Sequence, residues 1–340
     1  MTESPGPLAD GHFAPAGAGG HPWPRGAATG IGSLPGTDIA EAQKIVLGEL
    51  PDLPHLPELP ARGPGADIIG RGAAFLVELP VELYAARWRV ATHTGRDRRR
   101  ALDLLERDLD QMTEQAGEFD GTFKVQAAGP LTLAASIDLA LGGRILRDHG
   151  ATRDVSESLA EGLRAHVADV RRRLPAATVL LQLDEPSLPA ALAGRVATDS
   201  GLHTYRSIES STAGSLLRTV VEAAGAPVVL HCCAPDVPID VVRASGAAAV
   251  ALDLSLVDKL DPLGEAVDAG LGLFAGSGQT TSAAVADQVR GLWRQLGFPE
   301  QRLPDQVVVT PACGLAGSSP SEARRALTAV REAAQRLQEV

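Results

Sequence analysis

The chain has 340 residues, of which 44% are hydrophobic and 21% are charged, and its formal net charge is -11. This length suffices for one large domain, and no apolar run approaches the ~18 residues that a membrane-spanning helix requires. The acidic balance argues against a nucleic-acid partner, because proteins that bind phosphate backbones concentrate Lys and Arg on one face.

The first 26 residues are rich in Gly, Pro and Ala, and they lack both the basic start and the continuous apolar stretch of a secretory signal. We expect residues 1–26 to form a flexible N-terminal tail and residues 27–340 to form one catalytic domain. In the absence of a secretory signal we expect a cytoplasmic protein, in which thiols stay reduced.

Beyond this tail, short apolar runs alternate with amphipathic helical patterns. The run AATGIGS precedes TDIAEAQKIVLGEL, and the same order recurs from FKVQAAGP to VVVTPACG, which gives seven clear units. An eighth is predicted between Ile68 and Val90, as a strand and a helix or as helix throughout. Eight apolar strands alternating with helices favour a single α/β (β/α)8 TIM-type barrel over an open doubly wound sheet. The Pro-rich PDLPHLPELPARGPG is then expected to be an ordered loop over the barrel mouth.

Reactive side chains collect where the predicted strands end. In a (β/α)8 barrel the carboxyl ends of the strands form the active-site mouth, so these side chains are candidates for the site. They are Ser33, Asp184, Glu185, His231, Cys233, Asp253 and Cys313.

Three of these residues have the chemistry of zinc ligands. Because side chains alternate along a strand, His231 and Cys233 point to one face and Cys232 to the other. Together with Cys313 they offer one nitrogen and two sulfur ligands, and they leave a fourth position open. The alternatives are that the cysteines are small apolar core residues, which we assign to Cys232, or that Cys233 and Cys313 form a disulfide, which a reducing compartment disfavours.

The ligand set indicates the type of reaction. A thiolate-rich zinc site suits the binding of a thiolate that stays nucleophilic, whereas three neutral histidines favour a zinc-bound hydroxide. A free thiol with a pKa of ~8.5 is mostly protonated at neutral pH, so coordination supplies its reactive form. The predicted reaction is alkylation of a zinc-bound thiolate.

Six motifs carry a resemblance to a known family. They are IGSLP at 31–35, GPLTL at 129–133, QLDEPSL at 182–188, HCC at 231–233, ALDLS at 251–255 and PACGL at 311–315. In this order they resemble the catalytic C-terminal barrel of cobalamin-independent methionine synthase, a UROD/methionine-synthase-type barrel, over residues 28–317. The resemblance implies that His231, Cys233 and Cys313 hold zinc and that Asp253 occupies the position of an acidic ligand, which is Glu in the family.

The same resemblance implies a substrate. Ser33 and Asp184 match residues that hold the amino-acid backbone of homocysteine, with Asp184 accepting from the ammonium group. A further amine-binding glutamate is expected at Glu78, with Glu82 as the alternative. The implied reaction is methylation of homocysteine to methionine.

The features expected to bind and activate the methyl donor differ from those of the family. The full-length family enzyme has a second, N-terminal barrel that helps to bind folate, and 340 residues leave no room for it. Where the family offers a histidine that helps folate to leave, this chain has Ser277. We therefore expect a methylcorrinoid donor, either free methylcobalamin or one carried by a corrinoid protein, because reduced cobalt leaves without an acid.

Two other functions compete with this interpretation. One is a metal-free lyase similar to uroporphyrinogen decarboxylase, although no Arg-rich motif for an anionic substrate lies near the first strand. The other is a non-catalytic zinc- or thiol-binding protein. The presence of Ser33 and Asp184 favours an enzyme, because a metal store needs no substrate contacts.

Overall fold

A computed structural model describes residues 20–339 of the chain. Its helices are α1 (Ile39–Glu49), α2 (Ile68–Phe75), α3 (Arg96–Ala116), α4 (Pro130–Ser136), α5 (His149–Arg173), α6 (Leu188–Leu192), α7 (Ser210–Ala223), α8 (Ile239–Ser245), α9 (Leu260–Asp268), α10 (Ser282–Gln295), α11 (Leu303–Gln306) and α12 (Pro320–Gln338). Its strands are β1 (Val81–Tyr84), β2 (Arg87–Val90), β3 (Thr122–Ala128), β4 (Thr178–Asp184), β5 (Val228–Cys232), β6 (Ala249–Asp253), β7 (Gly272–Ser277) and β8 (Val307–Pro311). Over this range no helix is both long and apolar enough to cross a membrane.

Strands β3 to β8 form one parallel sheet in sequence order, and helices follow its strands. The strands are almost entirely buried. Helices cover one face of the sheet, and side chains from the opposite strands cover its other face. The register sets Ala128 beside Asp184 and Asp184 beside His231, so the carboxyl ends of β3, β4 and β5 are level. The predicted α/β class with a TIM-like parallel sheet is confirmed.

Two extended segments connect the edge strands β8 and β3. In the first segment, Ala28 pairs with Val309 of β8 and Ser33 pairs with Glu58. In the second, His55 pairs with Lys124 of β3. All three pairings are parallel, so the backbone hydrogen bonds run from β8 through both segments back to β3.

The prediction of an eighth unit between Ile68 and Val90 was wrong. That range forms α2 followed by the antiparallel hairpin β1–β2. The Pro-rich segment, which was expected to be a loop, instead occupies the eighth strand position of the barrel. Proline lacks a backbone donor and is depleted in strands, but here the residues between the prolines donate. The Leu56 amide donates to the Lys124 carbonyl at 3.0 Å, and the Glu58 amide donates to the Gly32 carbonyl at 3.1 Å.

The amino ends of the strands enclose an apolar layer that includes part of the predicted tail. Trp23 is 6% exposed and packs edge-on against Phe274, with 5.1 Å between ring centroids. A Cβ at Gly272 would lie 2.3 Å from the Trp23 ring, so only glycine fits there. Trp23, within the predicted tail of residues 1–26, therefore packs into the core, and residues 1–19 of that tail lie outside the described residues.

Candidate active site

The two predicted ligand thiols meet at the carboxyl ends of the strands. Cys233 follows β5, Cys313 follows β8, and their Sγ atoms are 3.2 Å apart. This distance is well beyond the ~2.05 Å of a disulfide bond, and both thiols are free. Cys232 is buried and lines a cavity of about 350 Å³, together with residues of α8, of α9 and of the turn that follows β6. The alternation along β5 thus separates Cys232 from Cys233, as the pattern predicts.

The contact shifts the pKa values of the two thiols in opposite directions. The hydrogen bond from Cys233 lowers the pKa of Cys313 to about 6, although burial opposes this shift. The same contact raises the pKa of the Cys233 thiol. At neutral pH the pair therefore presents one thiolate at the mouth.

His231 is held by one ring nitrogen and free at the other. It is 5% exposed, and its Nδ1 lies 2.7 Å from Oδ1 of Asp184. Because a carboxylate only accepts hydrogen bonds, Nδ1 donates to Asp184, and in the neutral imidazole Nε2 then has the lone pair. Nε2 is buried, and no atom of residues 20–339 hydrogen-bonds to it. A carboxylate behind the imidazole is the usual support of a metal-binding histidine.

The donor set fits zinc, although the ligands are not assembled. Within residues 20–339 no three His, Cys, Asp or Glu side chains converge as a metal cluster. Cys233 and Cys313 nevertheless touch, and the unpartnered Nε2 of His231 supplies a nitrogen ligand. One imidazole and two thiols match the ligand types of a catalytic zinc site.

Ser33 lies beside the Cys313 loop. The Ser33 carbonyl accepts from the Leu315 amide at 2.8 Å. A Cβ at Gly314 would lie only 2.1 Å from Oγ of Ser33, so glycine is needed directly after Cys313. The first closing segment and the Cys313 loop are thus packed together, which brings Ser33 next to the thiols.

Glu58 is a site residue that the sequence analysis missed. It pairs with Ser33, is 6% exposed, and has Oε1 3.2 Å from Nε of Arg71. Burial raises the pKa of Glu58 to about 7 against the opposing charge of Arg71, and the neighbouring charge of Asp184 raises it further. The available signal was an acidic residue inside the apolar run HLPELP.

The structure does not bring Glu78 to this site. Glu78 is exposed at a φ of 55° in the loop between α2 and β1. The adjacent Val77 exchanges hydrogen bonds with Ser158 on α5, at the outer helical layer. The alternative, Glu82, pairs with Arg89 across the hairpin. Glu58 therefore replaces both as the second carboxylate near Ser33.

Glu185 supports the site without facing the mouth. Its carboxylate accepts from the Leu131 amide at 2.9 Å, the Thr132 amide at 2.8 Å and Oγ1 of Thr132 at 2.7 Å. These donors lie in the first turn of α4, whose amides have no partner within the helix. The GPLTL and LDEP motifs are thus the two halves of one helix-capping contact.

The comparisons with known proteins show the family of the chain. The sequence profile described as "Cobalamin-independent synthase, Catalytic domain" matches residues 27–336. The chain belongs to this family. No curated protein matches the sequence.

Among solved structures, the fold is similar to a B12-independent methionine synthase from Shewanella sp. W3-18-1 in complex with selenomethionine. The TM-score is 0.55 at 11% identity, over 93% of this chain and 98% of that chain. The Amycolatopsis orientalis BexX/CysO complex is a weaker match, with a TM-score of 0.38 at 14% identity over 93% of this chain and 90% of that chain.

Two residues that the sequence analysis compared with the family, Asp253 and Ser277, form hydrogen bonds with neighbouring residues in this structure. Oδ1 of Asp253 accepts from the amide and the hydroxyl of Ser255 at 2.9 and 2.7 Å, which caps the turn that follows β6. Oγ of Ser277 donates to Gln288 at 2.6 Å and ties β7 to α10. Both side chains serve the local fold in this structure.

Proposed function

We propose that the chain is a zinc-dependent methyltransferase that methylates the thiol of homocysteine to give methionine. The observation that carries the proposal is the 3.2 Å contact between Cys233 and Cys313. These thiols lie at the same mouth as His231, whose Nε2 lacks a partner among residues 20–339. Membership of the cobalamin-independent synthase family supports the same reaction.

His231, Cys233 and Cys313 would hold the zinc ion. When bound, zinc supplies the charge that keeps a substrate sulfur as a thiolate at neutral pH. The three protein ligands leave one position for that sulfur. Ser255 holds Oδ1 of Asp253 through both hydrogen bonds, so Asp253 would reach the metal only through Oδ2, and we assign it a secondary role.

Ser33, Asp184 and Glu58 would bind the amino-acid part of homocysteine. Oδ1 of Asp184 already accepts from Gln182 and His231. Its other oxygen, Oδ2, accepts no hydrogen bond from the described residues, which leaves it for the substrate ammonium. Glu58, in its ionised form, would supply a second negative charge, and the Ser33 hydroxyl would bind the carboxylate.

The donor we propose is a methylcorrinoid, either free methylcobalamin or a methylated corrinoid protein. The homocysteine sulfur forms the bond to the methyl carbon, and the carbon–cobalt bond breaks with both electrons left on cobalt. Transfer from a tertiary amine such as methyltetrahydrofolate needs a positioned acid. Ser277 is engaged with Gln288 and is no such acid.

Metal content tests this function. The purified protein should carry about one zinc per chain, as expected for a single site. Cys233→Ser and Cys313→Ser should each lose most of it, while Cys232→Ser, the matched control on the other face of β5, should retain it. Full zinc occupancy in Cys313→Ser would refute the proposed site.

A further inference from the structure

A buried lysine lies beneath the mouth. Lys124 of β3 is fully buried, and its Nζ donates to the Ile31 carbonyl at 3.0 Å and to Oε1 of Gln182 at 2.8 Å. A longer contact of 3.4 Å joins Nζ to Oε1 of Gln126. Because Lys is rarely buried without a partner that requires its charge, its position in the middle of an apolar strand calls for an explanation.

The bond to Lys124 fixes the orientation of the Gln182 side chain. An ammonium group has donors and no acceptor, so the atom of Gln182 that faces Nζ must be the carbonyl oxygen. The amide nitrogen then faces the other way and donates to Oδ1 of Asp184 at 2.7 Å and to the Ile31 carbonyl at 2.8 Å.

Asp184 passes this orientation on to His231. Its Oδ1 receives the Gln182 amide and faces Nδ1 of His231 at 2.7 Å. A continuous chain of hydrogen bonds therefore runs from Lys124 through Gln182 and Asp184 to His231, across β3, β4 and β5. This path ends at Nδ1 of His231, and the other ring nitrogen, Nε2, has no partner among residues 20–339.

We propose that Lys124 is a positioning residue that, through Gln182 and Asp184, holds the His231 ring with Nε2 free to bind the metal. The proposal rests on the proposed function only for the role of Nε2 as a ligand. The charge of Lys124 also interacts with Asp184, while Nε of Arg71 lies 3.2 Å from Oε1 of Glu58.

The test uses Lys124→Met, Gln182→Met and the double variant, with Gln43→Met as the control. Gln43 is a fully buried glutamine on α1, outside the chain of hydrogen bonds. Solvent exchange of the Nδ1–H proton of His231 is measured in metal-free protein by proton–nitrogen correlation on histidine-labelled samples, with His231→Gln assigning the signal. Zinc affinity is measured by competition with a chelator.

We expect the Nδ1–H proton of His231 to be protected from solvent exchange in the wild type and to exchange faster in Lys124→Met, because Asp184 loses the support that Lys124 gives it through Gln182. Zinc affinity should fall about 10- to 100-fold, as for other residues that support metal ligands. The double variant should be no weaker than the worse single variant, because both residues act in one chain. Gln43→Met should match the wild type in both readouts.

An unchanged Nδ1–H exchange rate in Lys124→Met, or effects of the two single variants on zinc affinity that multiply, would overturn the proposal. If the loss of one buried partner prevents Lys124→Met from folding, the double variant decides, since removing both partners is far less costly. The exchange readout needs neither zinc nor substrate. If the wild type binds no zinc, the proposed function is refuted, and the measurement on metal-free protein still tests the role of Lys124.

Discussion

Replacing Asp184 by asparagine should weaken homocysteine binding and leave the fold intact. The amide oxygen of asparagine still accepts from Gln182 and His231, which now bond to Oδ1 of Asp184 at 2.7 Å each. The amide nitrogen, however, replaces Oδ2 and presents a donor to the substrate ammonium. A hydrogen bond to a charged group contributes about 1.5–3 kcal/mol, so the affinity should fall roughly ten- to hundredfold.

Calorimetric titration of zinc-loaded protein measures this loss. γ-Mercaptobutyrate, which is homocysteine without its amino group, provides the control, because it cannot use Asp184. We expect Asp184→Asn to lose affinity for homocysteine and to bind the analogue as the wild type does. An equal loss for both ligands would show that Asp184 acts on the metal site or the fold rather than on the amine.

Two further predictions follow from the buried carboxylates. Because burial raises the pKa of Glu58 to about 7, this residue becomes anionic as the pH rises through neutrality, and homocysteine affinity should rise with it. Calorimetric titration from pH ~6 to ~8 should find a shallower rise in Glu58→Gln, and identical pH profiles would contradict the assignment. Gly129→Ala would place a Cβ 2.3 Å from Oε1 of Glu185, which three donors hold in place, so it should destabilise the fold by about 1–3 kcal/mol in urea denaturation. In the control Gly264→Ala the nearest atom, on Leu296, is 3.6 Å away, so stability should be unchanged or rise by up to ~1 kcal/mol; equal stability of the two variants would refute the packing argument.

The parallel sheet and the thiol pair could be predicted from the sequence because each depends on a simple periodicity. Strands buried on both faces are continuous apolar runs, and their carboxyl ends meet in a parallel sheet. Since side chains alternate along a strand, the spacing of His231 and Cys233 places them on one face. Cys313, at the end of another strand, then lies at the same mouth.

The missed features depend on contacts that periodicity does not record. The segment with Glu58 resembles a loop because its prolines cannot donate, yet its remaining amides pair with the segments on both sides. Trp23 lies in a stretch of loop-like composition, and only its packing against Phe274 makes it part of the core. Lys124 interrupts an apolar strand, and its partners are distant in sequence.

Methionine formation by the zinc-loaded protein tests the central claim most directly. Homocysteine is supplied with methylcobalamin in one reaction and with methyltetrahydrofolate in another, and Cys313→Ser serves as the inactive control. We predict methionine in the wild-type reactions, with faster turnover from methylcobalamin, and none from Cys313→Ser. Faster turnover with the folate would overturn the proposed donor, and a zinc-loaded protein that forms no methionine from either donor would contradict the assigned methyl transfer.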